Sequence, residues 1–288
     1  MSLYELHERP ELDAPILVMT LEGWIDAGAG GANAAAHLLE TLSPTVLATF
    51  DTDLLLDYRA RRPVMHIEDG VSTNLAWTDI RLLAAKDAAG KDLLLLVGAE
   101  PDHAWRAFSG EVVQLAGEFG ARMVVGLGAY PAAAPHTRPV KLACTAATAE
   151  LARAMPFVRG SLDVPAGIHA AIEREAGESG IPAIGLWAQV PHYAAAMPYP
   201  AASAALVDGL GRLTGLALDA AGLHQEAIEA SGRLDALVAE SDEHQELVRQ
   251  LEAHTDTEDE APDESPLEMQ SGDEIAAEFE RFLRDQDG

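Results

Sequence analysis

The sequence predicts a layered α/β fold: a central sheet covered on both faces by helices, with a helical region added at the C-terminus. Short, near-continuous apolar runs of strand length recur through the first 200 residues, and amphipathic segments with helical spacing lie between them. From about residue 200 the pattern becomes helical throughout.

The first run, ILVMTL (16–21), leads into three glycines, Gly28, Gly30 and Gly31, and an alanine-rich helical pattern over 29–42. VLATF (46–50) is the next strand, while segments 54–58 and 64–68 with 78–85 add strands of mixed direction. LLLLVG (93–98) precedes a helix over 102–119, in which Trp105, Phe108, Val112, Leu115 and Phe119 recur at spacings of three and four. MVVGLG (123–128), a helix over 167–178 and AIGLWAQV (183–190) complete the core.

Two helices follow, at 203–214 and 223–251. The second carries Leu223, Ala227, Leu234, Leu237, Val238, Leu247, Val248 and Leu251 on an apolar stripe that packs on the core or, alternatively, forms an intermolecular coiled coil whose seam Ser241 and His244 interrupt. Residues 250–280 hold twelve Asp or Glu and no Lys or Arg, the composition of a disordered acidic tether. Ser271 and Glu274 then form a capping-box signature, with Ile275, Phe279, Phe282 and Leu283 on one helical face shaped for docking on this protein or another. The expected organisation is an α/β core at 1–200, a helical region at 201–254, a flexible acidic linker at 255–272 and a docking helix at 273–288.

A chain of 288 residues that is 48% hydrophobic can bury a large core. Its net charge of -28 repels phosphate backbones and anionic lipid, so neither nucleic acid nor membrane is an expected partner. Apolar stretches such as 93–99 are shorter than the roughly 20 residues of a membrane helix, and the N-terminal segment is charged, which implies a cytoplasmic protein. Cys144 is the only cysteine, so an internal disulfide is excluded and a reducing compartment fits; within KLACTAA it reads as a small buried residue.

The glycine turn has the strand-to-helix context of a nucleotide site. Read from Gly28, however, Asn33 replaces the third glycine of GxGxxG, and no GK[ST] follows. Asp26 would repel phosphate and is suited to cap the helix, with a cleft carboxylate as its second reading. Nucleophile-elbow, HExxH and EF-hand patterns are absent, and neither a metal nor a cofactor is expected.

Three polar clusters remain where loops leave strands. In GAEPDHAW (98–105), Glu100, Asp102 and His103 could meet a cation, although capping the next helix explains Asp102 more simply. In PHTRP (135–139), two prolines stiffen a loop that offers His136, Thr137 and Arg138 either to an anionic group or to one of the chain's carboxylates. VPHY (190–193) places His192 and Tyr193 at a strand end, as an acid–base pair or a hydrogen-bonded structural pair.

GWIDAG (23–28), FDTD (50–53), DYRARRP (57–63), GAEPDHAWRAF (98–108), PHTRP, VPHY and LTGLALD (213–219), in this order, resemble the actinobacterial branch of the proteasome assembly chaperone 2 family over residues 1–253. The resemblance implies a three-layer α/β/α sandwich of the phosphorylase/hydrolase-like type with an added C-terminal helical region. It implies a homo-oligomer, a trimer being one form, and a non-catalytic binding or assembly role in which a proteasome component or another protein engages the C-terminal helix. Docking through a C-terminal hydrophobic-Tyr-any tripeptide is not expected, because the chain ends Gln-Asp-Gly. The alternative is an enzyme or small-ligand binder of the phosphorylase/hydrolase type, with Asp26, Glu100, Asp102, His136, Arg138, His192 and Tyr193 lining one cleft at the strand ends.

Overall fold

The structure, a computed structural model, describes residues 2–260 apart from 24, 158–160 and 162. The expected docking helix with Ile275, Phe279, Phe282 and Leu283, and the acidic stretch beyond Glu260, lie outside the described residues.

In chain order the strands are β1 (Tyr4–Leu6), β2 (Ile16–Glu22), β3 (Thr45–Phe50), β4 (Val64–Glu68), β5 (Val71–Ala76), β6 (Ile80–Lys86), β7 (Asp92–Ala99), β8 (Met123–Ala132), β9 (Leu142–Ala146) and β10 (Ala183–Pro191). The helices are α1 (Gly30–Leu42), α2 (Thr52–Leu55), α3 (Trp105–Glu118), α4 (Ala149–Ala154), α5 (Ile168–Glu178), α6 (Pro200–Thr214), α7 (Ala221–Ala239) and α8 (Asp242–Glu260). Eight strands form one sheet in the order β1-β3-β6-β7-β2-β8-β10-β9, and β4 with β5 forms a separate two-stranded ribbon.

The four central strands, β7, β2, β8 and β10, run parallel. β6, β3 and β1 continue one side with antiparallel pairings, and β9 closes the other side antiparallel to β10. The sheet is therefore mixed; of the segments expected to add strands of mixed direction, only 78–85 lies in it, as β6, while 64–68 is β4 of the separate ribbon. β2 shows why its run is continuously apolar: Ile16 and Val18 enter the core on one face, and Leu17, Met19 and Leu21 enter it on the other.

The first face is covered by α1, α6 and α7 through Ala34, Leu38, Leu206, Leu210, Leu223 and Leu234. The second is covered by α2, α3 and α5 through Leu55, Phe108, Val112, Leu115, Ile168 and Ile172. Each fully buried aliphatic side chain contributes about 1.5–3 kcal/mol. Phe108, fully buried and tilted against Phe50 at 4.9 Å, would cost about 3–5 kcal/mol on truncation to alanine.

Several local expectations are corrected. Segment 54–58 is no strand, because Asp51 accepts from the backbone N–H of Asp53 and starts the short helix α2. β1 and β9 carry too little apolar patterning to stand out, and Cys144 is only half-buried on β9. The single helix over 223–251 is two, since the chain turns at Glu240 and Ser241 between α7 and α8. The acidic stretch is still helical from 255 to Glu260. Among the described residues, no helix is long and apolar enough to cross a membrane.

Candidate functional site

The parallel strands β7, β2, β8 and β10 all finish at one edge of the sheet, so the loops after Ala99, Glu22, Ala132 and Pro191 rise on the same side. The polar side chains on these loops are bonded to five different parts of the molecule.

Asp26 serves the start of α1. One carboxylate oxygen accepts from Gly31 N–H at 2.8 Å and the other from Ala32 N–H at 2.9 Å, so these amides are not free to cradle a phosphate. Burial pushes its carboxyl above the usual range, and the two amide bonds oppose that shift. The turn itself is tied down through Gly28, whose N–H donates to Ala195 O and whose carbonyl accepts from Tyr199 N–H. Gly28 has φ +62, and a Cβ there would lie 2.6 Å from Tyr199 Cβ, so the turn requires glycine for packing as well as for backbone shape.

Glu100 is buried and accepts from Ile168 N–H at 2.6 Å, supplying the acceptor that Gly167, the residue before α5, lacks. Asp102 does not cap α3: Ala104 takes that position with φ 57 and no side-chain bond. Its carboxylate instead accepts from Asp57 N–H at 2.7 Å and meets Arg61 at 3.4 Å, holding the loop before β4. His103 is exposed, and its backbone N–H donates to Leu55 O.

The other two clusters do meet. Tyr193 Oη accepts from His136 N–H at 2.8 Å and lies 2.7 Å from His136 Nδ1, while His136 Nε2 lies 3.2 Å from Asp235 on α7. These distances are satisfied together when Tyr193 O–H donates to Nδ1 and the Nε2 proton is donated to Asp235. Burial raises the Tyr193 phenol well above its usual range, so it remains a proton-bearing donor. His192 packs edge-on to Tyr193, with ring centroids 5.5 Å apart.

Arg138 points to α8. Its Nε and Nη2 each donate to Asp256 at 2.8 Å, and Nη1 donates to Glu252 at 3.1 Å. Thr137 donates its hydroxyl to Glu252 as well. The space left between this loop, α8 and the strand ends, lined by residues including Arg138, Gln189 and Tyr199, encloses about 20 Å3, room for a single water.

The chain matches the PAC2 family over residues 20–238. It belongs to that family. This PAC2 protein is similar to a Corynebacterium glutamicum protein of unknown function, at 32% identity and TM-score 0.85 over 90% of this chain and 98% of that one. A Mycobacterium tuberculosis protein of unknown function is 35% identical, with TM-score 0.83 over 90% of this chain and 92% of that one. A second Mycobacterium tuberculosis protein, described as a proteasome-assembly chaperone homologue, is 32% identical, with TM-score 0.75 over 81% of this chain and 99% of that one. No curated protein matches the chain.

In this PAC2 chain the residues that sequence reasoning missed are Asp235, Glu252 and Asp256, the acidic partners of His136, Thr137 and Arg138. Glu252 and Asp256 stand four apart and so share a helix face, a signal present in the sequence. Nothing local pairs that face with Arg138, because the contact spans 118 residues of chain. The strand expected at 64–68 is β4, but sequence reasoning missed β5, the ribbon the two form, and an open groove of about 420 Å3 beside it lined by Phe50, Asp51, Thr52, Asp53, Tyr58 and Trp77.

Proposed function

We propose that this PAC2 protein is a non-catalytic, homo-oligomeric binding protein of the assembly-chaperone kind. The observation that carries this reading is the engagement of most of the polar side chains singled out at the strand ends; His192 makes only a ring contact with Tyr193, and the His103 side chain is exposed. Asp26 and Glu100 hold helix starts, Asp102 holds a loop, and His136 and Arg138 hold α7 and α8. An active cleft needs an accessible nucleophile or base beside a space large enough for substrate. Here His136 and Tyr193 are bonded to each other and to Asp235, and the space between their loop and α8 is water-sized.

Similarity to a proteasome-assembly chaperone homologue supports a proteasome component as the partner class, and the α-type subunits are the component to test first. On this reading the protein works in the cytoplasm, and the acidic stretch that follows α8 carries the partner-docking residues Ile275, Phe279, Phe282 and Leu283. Mixing the full chain with purified α-type subunits from the same organism tests it, by native mass spectrometry for complexes and by sedimentation for the rate of ring assembly. A defined complex and a changed assembly rate are expected, both weakened by truncation after Glu260. No complex together with an unchanged assembly rate would overturn the reading.

A further inference from the structure

The family match ends at residue 238, near the end of α7, so α8 is an addition to the family core. It covers the ends of β8 and β10, where Thr255 lines the small enclosed space together with Arg138, Gln189, Pro191 and Tyr199. Its hold is narrow. Of its residues up to Thr257, Val248, Leu251 and Thr255 are the buried ones. The rest of the hold is Glu252 and Asp256 on Thr137 and Arg138, and the Arg138 side chain remains 33% exposed.

The core beneath α8 is built to receive negative charge. Residues 135–141 carry His136, Arg138 and Lys141 and no acid, although the chain has 47 Asp and Glu against 19 Lys and Arg. Arg138 presents a fork of donors, and the Lys141 charge also lowers Asp256. Tyr199 adds a donor that α8 does not use. The residue is 4% exposed and lines the space, and its hydroxyl makes no hydrogen bond among the described residues. Burial pushes its phenol up to about 12, so it keeps its proton. A buried donor without an acceptor is costly, and a carboxylate oxygen would satisfy it. The space of about 20 Å3 admits one further heavy atom, the increment from a threonine to an aspartate side chain at position 255.

We propose that this strand-end surface is a docking site for an acidic helix of a partner protein, with carboxylates at the three positions that Glu252, Thr255 and Asp256 hold on α8, and that α8 is its displaceable cover. The incoming helix repeats the contacts to Thr137 and Arg138 and adds an acceptor for Tyr199. Because α8 is tethered, its effective concentration at the site is high, and a competitor prevails through that added bond or when the cover is loosened. The inference deepens the binding-protein reading above, on which it rests, by naming a partner chemistry.

Fluorescence anisotropy with full-length chains and two labelled peptides tests it. One peptide has the sequence of residues 241–257, and the other is the same with Thr255→Asp. In the chain, Glu252→Gln with Asp256→Asn loosens the cover, and hydrogen exchange of 245–257 should be faster. The loosened chain should bind the Thr255→Asp peptide about tenfold or more tightly than the wild type does, and about fivefold more tightly than it binds the unmodified peptide. Adding Tyr199→Phe should erase the difference between the peptides without moving the melting temperature, and adding Arg138→Gln should weaken both about tenfold. Unchanged protection of α8 in the loosened chain, no binding of either peptide, or binding indifferent to Arg138→Gln would each overturn the proposal. Equal binding of the two peptides would mean that the surface fits the α8 of a second copy, and would overturn it as well. No proteasome component enters this assay, so its failure leaves the reading above standing, and failure of a complex with α-type subunits leaves this result untouched.

Discussion

Arg138 grips Asp256 with two parallel bonds of 2.8 Å, joining the loop after β8 to a helix 118 residues further along the chain. Glu252, one helical turn earlier, takes the third donor and the Thr137 hydroxyl. The neighbouring acidic side chains raise the already high pKa of the guanidinium, and Asp256 is held below the usual carboxylate range by Arg138. The loop that looked ready to receive an anionic ligand therefore receives the protein's own acidic helix. Such surface pairs are weakened by salt, so the grip should loosen as ionic strength rises.

Asp26→Asn should destabilise the protein by about 1–2 kcal/mol in urea titration. The amide oxygen can still accept from one of Gly31 and Ala32, but the amide nitrogen then faces the other N–H. Asp26→Ala should cost more, because both amides lose their acceptor. A phosphate-binding role for this turn would instead appear as tighter phosphate binding on removal of the carboxylate.

Gly28→Ala should cost about 2 kcal/mol or more. The added methyl meets Tyr199 Cβ at 2.6 Å, and the residue must still hold φ +62. Thermal unfolding monitored by circular dichroism would show the shift, and an unchanged midpoint would mean that the turn is not packed on Tyr199.

Glu173 and His169, both on α5, set opposing pH dependences. Burial raises Glu173 from 4.5 to about 7, opposed by the Thr145 hydroxyl, which donates to it at 2.7 Å. Between those values the folded protein holds a proton that the unfolded chain has released, so stability falls as pH rises, by at most about 3 kcal/mol in total. His169 is half-buried and its ring accepts from Leu21 N–H at 3.0 Å, and desolvation lowers it from 6.5 to about 4. Between those values the unfolded chain takes up the proton first, so this contribution is lost as pH falls. Glu173→Gln should expose the histidine slope alone: stability rising with pH up to about 6.5 and flat above it, with the variant more stable than the wild type at alkaline pH. Superimposable pH profiles for the two proteins would refute this assignment.

The five apolar runs and the helices that cover them were readable because burial on both faces leaves a continuous apolar signature, as β2 and β7 show. Asp26 as a cap was equally legible, being a local contact across five and six residues. The partners of His136 and Arg138 were not, because Asp235, Glu252 and Asp256 lie 99 to 118 residues away in a region rich in interchangeable acids. Asp102 misled for a related reason. Its spacing before α3 suited a cap, but the chain passes through the left-handed region at Ala104 and turns the carboxylate toward Asp57 and Arg61. β4 was expected at 64–68, but its partner β5 stayed hidden because Ser72, Thr73 and Asn74 dilute its apolar pattern, and a bulge breaks the register near His66.

The strand-end cluster acts as an internal latch for α7 and α8, and hydrogen exchange of full-length Arg138→Gln measures that directly. Amides of residues 245–257 should exchange faster in the variant than in the wild type, while those of β2, β7 and β8 keep their protection. Unchanged protection of α8 in the variant would contradict the latch and return Arg138 to the role of a ligand-binding side chain.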